Sequence, residues 1–172
     1  MSDYERELRE ILSGNKAIIG KVTKSCSSEE RQKYFKITEN PFVVVRAAGS
    51  LGIADIVALR GEISFLVEIK TRKEKSILFS HEGGRMQRKA EEMLEKCEKA
   101  KVLPLFAFRI KNYHGDSWRI YSLELEGLEG KSKILYARIP KIRKTASNNY
   151  LLKWDEGMKL SDFIDYTTTL IK

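Results

Sequence analysis

Asp55, Glu68 and Lys70 are the residues of this chain whose types and spacing could do chemistry. One acid opens the apolar segment Asp55-Ile56-Val57-Ala58-Leu59, and the triplet Glu68-Ile69-Lys70 closes the next segment, which starts at Ile63 and includes Phe65, Leu66 and Val67. Arg60-Gly61-Glu62 separates the two. β-Branched and aromatic residues punctuated by glycine read as a strand, a tight turn and a second strand. Residues two apart on a strand share a face, so Glu68 and Lys70 point one way while Phe65, Val67 and Ile69 point the other. Hairpin pairing brings Asp55 beside them. Two carboxylates and an ammonium then converge at the end of an otherwise apolar sheet. Hard oxygen ligands of this kind hold Mg²⁺, which takes one or two protein carboxylates plus waters and phosphate oxygens. The chemistry this points to is metal-assisted phosphodiester hydrolysis. The bland alternative is a surface salt bridge, contributing only ~0–1 kcal/mol. Acid-x-lysine triplets arise readily in so charged a chain; Glu129-Gly130-Lys131 is another, but it lies in a glycine-flanked turn rather than on a strand.

The elements that must position these groups can be read on either side. Ser2 and Glu5 have capping-box spacing, and Tyr4, Leu8, Ile11 and Leu12 recur at helical spacing, predicting a helix that ends near Ser13-Gly14. Residues 15–40 are ambiguous between a short strand plus helix and an ordered loop. Phe42 to Val45 is a strand, followed by a flexible turn from Ala47 to Gly52. A helix is expected from about Gly84 to Ala100, with Met86, Ala90, Met93, Leu94 and Cys97 on one face. Leu103 to Ile110 and Trp118 to Leu123 read as two more strands, and Ser161 to Ile171 as a last amphipathic helix. The order is that of an α/β fold with a central mixed β-sheet flanked by helices. No repeat or Pro/Gly linker divides residues 1–172, so a single domain is expected.

A length of 172 residues with 42% hydrophobic residues supports a real core, and a formal net charge of +8 implies an anionic partner. Nucleic acid is the default, because Lys and Arg neutralising phosphate supply most non-specific affinity; an acidic membrane surface is the rival. No apolar stretch approaches a membrane span and the N-terminus lacks a signal peptide's apolar core, so a cytoplasmic protein is expected. Cys26 and Cys97 have neither disulfide-framework nor zinc spacing.

Glu5-Arg6-Glu7-Leu8, Val44-Val45-Arg46-Ala47-Ala48-Gly49-Ser50, Asp55-Ile56-Val57-Ala58 and Val67-Glu68-Ile69-Lys70 together resemble the archaeal Holliday junction resolvases, within the PD-(D/E)xK or restriction-endonuclease-like superfamily. The resemblance covers most of residues 1–13 and 41–125; residues 15–40 lengthen the connection after the first helix, and residues 126–172 form a basic strand region and a C-terminal helix. The arginine-alanine-glycine-serine block is far more specific than the acid-x-lysine triplet. The resemblance implies a homodimeric, Mg²⁺-dependent endonuclease, with Mn²⁺ able to substitute, that nicks four-way DNA junctions symmetrically. It implies metal ligation by Asp55, Glu68 and Glu5, and a Lys70 that orients the attacking water or stabilises transition-state charge. It puts Arg46 and Ser50 at a substrate-contacting strand end and loop.

Each role has a plainer counterpart. Glu5 is also an N3 glutamate of a capped helix, and Glu7 competes for the metal on the same turn. Arg46 can simply flank a strand, and Ser50 can be turn chemistry. Gln87 is a possible site residue, because some superfamily members carry a catalytic-site glutamine on that helix. Arg72 and Lys73 follow Lys70 and are expected to meet the DNA backbone. The acid-free segment containing Lys131, Lys133, Arg138, Lys141, Arg143 and Lys144 reads as a phosphate-tracking surface or a charge-protected strand edge. Apolar residues Trp154, Phe163, Ile164, Tyr166 and Leu170 exceed what a minimal sheet needs, and could cover a second subunit or the chain's own sheet. The competing functions are a flap, nick or duplex nuclease of the same superfamily, and a non-cleaving DNA-binding protein that keeps the fold.

Overall fold

The chain begins with a helix, α1 (Asp3–Leu12), whose first turn is capped by Ser2 Oγ accepting the Glu5 N–H at 3.2 Å. The computed structural model describes residues 2–47 and 52–171, so Ser50 lies outside the described residues. Residues 15–40 fold as two short helices, α2 (Lys16–Val22) and α3 (Ser28–Phe35), and one 3₁₀ turn. Both starts are legible after the fact: Asn15 caps α2, and Ser27 with Glu30 makes a complete capping box on α3.

Then come β1 (Val43–Arg46), β2 (Ile56–Arg60), β3 (Ile63–Arg72), β4 (Ser76–Leu78), α4 (Arg85–Ala100), β5 (Leu103–Ile110) and β6 (Trp118–Tyr121). The C-terminal region holds α5 (Gly130–Arg138), β7 (Arg143–Lys144), β8 (Tyr150–Lys153), β9 (Met158–Lys159) and α6 (Leu160–Ile171). The main sheet has the order β1-β2-β3-β5-β6-β9, and β4-β8-β7 form a smaller sheet. Its β3–β5 pair is parallel and the rest antiparallel, so the sheet is mixed as expected. A parallel neighbour needs a long crossover, and β4 with α4 supplies it.

Alternation along β3 divides the protein into two layers. Phe65, Val67 and Ile69 join a core with α1, α2, α3, α5 and α6, including Leu8, Ile19, Tyr34, Leu135 and Phe163. On the opposite face α4 and the small sheet enclose Phe79, Ala90, Met93, Phe106, Phe108 and Leu152. Glu68 and Lys70 belong to that second face. The turn into α4 depends on left-handed backbone at Gly83 (φ 79°) and Gly84 (φ 73°), which only glycine adopts without strain.

One expectation is corrected here, and one alternative that the sequence left open is decided. Residues 130–138, read as part of a basic strand region, are helical; Leu135 and Ile139, four apart, turn inward together, and Glu129 provides no side-chain cap that would have marked the start. The apolar C-terminal segment is covered by its own chain. Trp154, Phe163 and Ile164 are buried, with the Phe163 ring against Phe65, and Tyr166 and Leu170 pack partly on the same core. The extra helices complete that cover. Lys33 pairs with Asp162 at 2.9 Å, Lys159 with Glu30 at 3.0 Å, and Lys36 with Asp165. Asp116, buried beneath this seam, accepts from Tyr34 Oη at 2.6 Å and from the Ser161 N–H at 2.9 Å. No helix among the described residues is long and apolar enough to cross a membrane.

Candidate active site

Strand register builds the site. Ile56 pairs with Val67 and Arg46 pairs with Ile56, so Asp55, one residue before β2, lies between the end of β1 and the second half of β3. Its backbone is fixed on both sides: the Ala47 N–H donates to Asp55 O and the Asp55 N–H donates to Val67 O, each at 2.9 Å. Its Oδ2 accepts the Ile69 N–H at 2.7 Å, which aims the carboxyl at the Glu68-Ile69-Lys70 segment.

Glu68 is 3% exposed. Its Oε1 accepts from Lys89 Nζ at 3.0 Å and pairs with Lys70 Nζ at 3.2 Å, whereas Oε2 is buried without a hydrogen-bond partner. A buried carboxylate oxygen left unpaired is costly and calls for a partner. Burial first, and then the Asp55 charge, push the Glu68 carboxyl above its ordinary pKa, while Lys70 and Lys89 pull the other way. In front of it lies a cavity of about 10 Å³ lined by Glu68, Lys70, Lys89 and apolar residues including Met86 and Phe106. An open groove of about 730 Å³ continues past Lys70 and Lys89 to Arg72, His81 and Arg85, with Leu151 of the small sheet on its wall. The donor set is two carboxylates with one unsatisfied oxygen, which fits a hard divalent cation that takes one or two protein carboxylates.

The other candidates fall into separate places. Among the described residues no three His, Cys, Asp or Glu side chains gather closely enough to hold one ion. Glu5 is therefore not assembled with Asp55 and Glu68 into a three-acid set. Glu7 is engaged elsewhere, accepting from Arg109 Nε and Trp118 Nε1 at 2.8 Å each. Gln87 is turned away from the carboxylates: its Oε1 accepts the Tyr150 N–H at 2.8 Å and its Nε2 donates to Glu91 at 2.9 Å, tying α4 to the small sheet. Lys89, two residues on, is the member of that helix that reaches Glu68, and the sequence reading missed it. Arg46, Arg72, Lys73 and Lys144 are exposed.

Lys141 needs correction as a phosphate contact. Its ammonium turns inward, donating to the backbone oxygens of Tyr136 and of Ile139 (2.6 Å), and stands 3.8 Å from the Tyr136 ring centroid. Burial lowers its pKa. It closes the C-terminal end of α5. Arg143 is bidentate on Glu156, an acid outside the acid-free run. Lys141→Ala is therefore expected to lower stability by about 1–3 kcal/mol, through carbonyls left unpaired, with little change in the salt dependence of DNA binding. Chemical denaturation and binding titrations at several salt concentrations check both parts.

Comparison with known proteins supplies the family. The model of the archaeal Holliday junction resolvase (Hjc) family matches residues 21–171, a stretch that takes in α3, the acid pair and the C-terminal region and leaves out Glu5 and Glu7. No curated protein matches the chain. Among solved structures, the Holliday junction resolvase Hjc of the archaeal hyperthermophile Archaeoglobus fulgidus is 17% identical, with a TM-score of 0.47 over 70% of this chain and 87% of that one. With a family match spanning most of its length, the chain belongs to the archaeal Holliday junction resolvases and is an endodeoxyribonuclease of that kind.

Proposed function

We propose that the protein resolves four-way DNA junctions as a Mg²⁺-dependent homodimer, each subunit making one of two symmetric nicks with Asp55 and Glu68 as its cation ligands and Lys70 beside them. The observation that carries this reading is the buried, unpartnered Oε2 of Glu68 next to a second carboxylate. A divalent cation there would neutralise phosphodiester charge and make water more acidic; Mn²⁺, also suited to oxygen ligands, can substitute.

The chain's own residues do the rest. The Ile69 N–H holds the Asp55 carboxyl in place. Lys70, 19% exposed and already bonded to Glu68, is positioned to orient the attacking water or to stabilise charge on the phosphate as one P–O bond forms and another breaks. Arg72 and Lys73 follow Lys70 out of the sheet, where they would hold phosphates beside the cut, whereas Arg46, exposed at the end of β1 opposite Ile56, is by alternation on the other face from Glu68 and would meet the DNA only around the end of the sheet. Lys144, exposed on the small sheet, extends that track. Ser50 retains its role as a loop contact only by resemblance.

Two incisions related by the junction's two-fold symmetry call for a C₂ dimer with both sites on one surface. With the C-terminal face covered, the surface that supports pairing is the open part of the sheet beyond α4. Val43 (65% exposed), Val45 (52%) and Leu59 (44%) form an apolar strip there, with Val43 directly opposite Leu59. By alternation the strip faces the same way as Glu68 and Lys70, so a dyad through it would set two sites side by side.

The test is cleavage of a synthetic four-way junction against duplex, flap and single-stranded DNA of matched sequence. Preference for the junction, with paired nicks, is expected. Equal or faster cutting of flap or duplex would assign the chain a different substrate.

A further inference from the structure

Glu68 is held by two ammonium groups, of which the strand pattern accounts for one. Lys70 reaches Oε1 from two positions along the same strand, and Lys89 reaches the same oxygen at 3.0 Å from α4. Oε2 is left alone although two cations stand nearby.

The two lysines are not equivalent. Lys70 is 19% exposed and fixed by β3, whereas Lys89 is 35% exposed and lines both the small cavity at Glu68 and the open groove beside it. In that groove Lys70, Arg72, Arg85 and Lys89 outnumber Glu74 and Glu82, which favours a phosphate-bearing strand. A divalent cation arriving at Asp55 and Glu68 would meet two ammonium groups already on one carboxylate oxygen. Like charges a few ångströms apart in a partly desolvated site repel strongly. The group that can yield is the more exposed one, whose flexible four-carbon stem reaches both spaces.

We propose, resting on the assignment of Asp55 and Glu68 as cation ligands, that Lys89 is a movable counter-charge. It holds Glu68 while the cation site is empty, and turns into the groove to hold a phosphate of the DNA strand when the site fills. Cation loading and strand grip are thereby coupled, and the coupling acts equally in both directions. Lys89 is a positioning residue: it acts on the cleavage chemistry through Glu68 and through the strand.

The experiment uses the full chain as wild type, Lys89→Ala, Lys89→Gln and Lys89→Arg. Ca²⁺, another oxygen-seeking cation, is titrated calorimetrically into DNA-free protein. Junction affinity is then measured by fluorescence anisotropy in chelator and in saturating Ca²⁺. Removing the ammonium should tighten Ca²⁺ binding by about fivefold or more, and shrink the Ca²⁺-induced gain in junction affinity by a similar factor. Lys89→Arg should keep the wild-type gain. Wild-type values of either quantity in both neutral variants overturn the proposal. Asp55→Asn is the separate control. If it binds Ca²⁺ like wild type, the acid-pair assignment itself fails and takes the role of Lys89 with it; if it loses Ca²⁺ binding while the Lys89 variants behave as wild type, Lys89 alone is refuted.

Discussion

Asp55→Asn and Glu68→Gln are each expected to lower junction cleavage by about a thousandfold or more, equivalent to roughly 4 kcal/mol of barrier, and to leave junction binding intact or slightly tighter. The loss is large because each substitution removes one of two carboxylates. Among the described residues no third acid joins the proposed pair: Glu7 is tied to Arg109 and Trp118, and Glu5 is not gathered with Asp55 and Glu68 into a three-acid set. Binding survives because a negative charge facing DNA phosphates has been removed. Folding survives as well: after Glu68→Gln the new amide oxygen can still accept from Lys70 and Lys89, and after Asp55→Asn the side chain keeps an oxygen for the Ile69 N–H. Single-turnover cleavage, anisotropy and thermal unfolding of the same preparations separate these three statements. Near-wild-type cleavage by either variant would remove the pair from the chemistry.

If the proposed dimer forms through the strip, the double variant Val43→Asp/Val45→Asp is expected to weaken self-association by tenfold or more, about the effect of losing one central contact residue of a protein interface. Both positions are more than half exposed, so the charges add no burial cost within a subunit. Charges facing each other across a dyad repel and keep water at the strip. Sedimentation equilibrium at micromolar protein, with and without junction, reads the association. Cleavage then changes in character: nicked junctions accumulate, because two incisions no longer occur within one bound complex. An unchanged dimer in the variant would move the interface elsewhere on the surface. A wild type that stays monomeric even on the junction would remove the dimer.

The strand that carries Glu68 and Lys70 was legible because one periodicity governs it. Alternation of two placed Glu68 and Lys70 on one face and Phe65, Val67 and Ile69 on the other, and hairpin pairing placed Asp55; the burial pattern and register of β2 and β3 follow. What lay beyond a single element was not legible. Lys89 and Gln87 sit two positions apart on α4, and which of them meets Glu68 depends on how the helix docks, set by Gly83, Gly84 and the Tyr150 N–H that holds Gln87. Lys141 and Arg143 look alike in an acid-free run, yet their partners are helix carbonyls and Glu156, brought in by folding. The surplus of apolar residues in α6 was real. It covers the sheet rather than a partner because the segment from Glu30 to Lys36 meets the segment from Lys159 to Asp165 along three ion pairs, whose spacing across 129 residues no local pattern reveals.

Anomalous diffraction from crystals of the DNA-free protein soaked in Mn²⁺ tests the acid pair most directly. One strong peak is expected in contact with Glu68 Oε2 and the Asp55 carboxyl, absent from Asp55→Asn crystals treated in the same way. A peak at other residues, or a peak beside Glu68 that persists unchanged in Asp55→Asn, would contradict the acid-pair assignment.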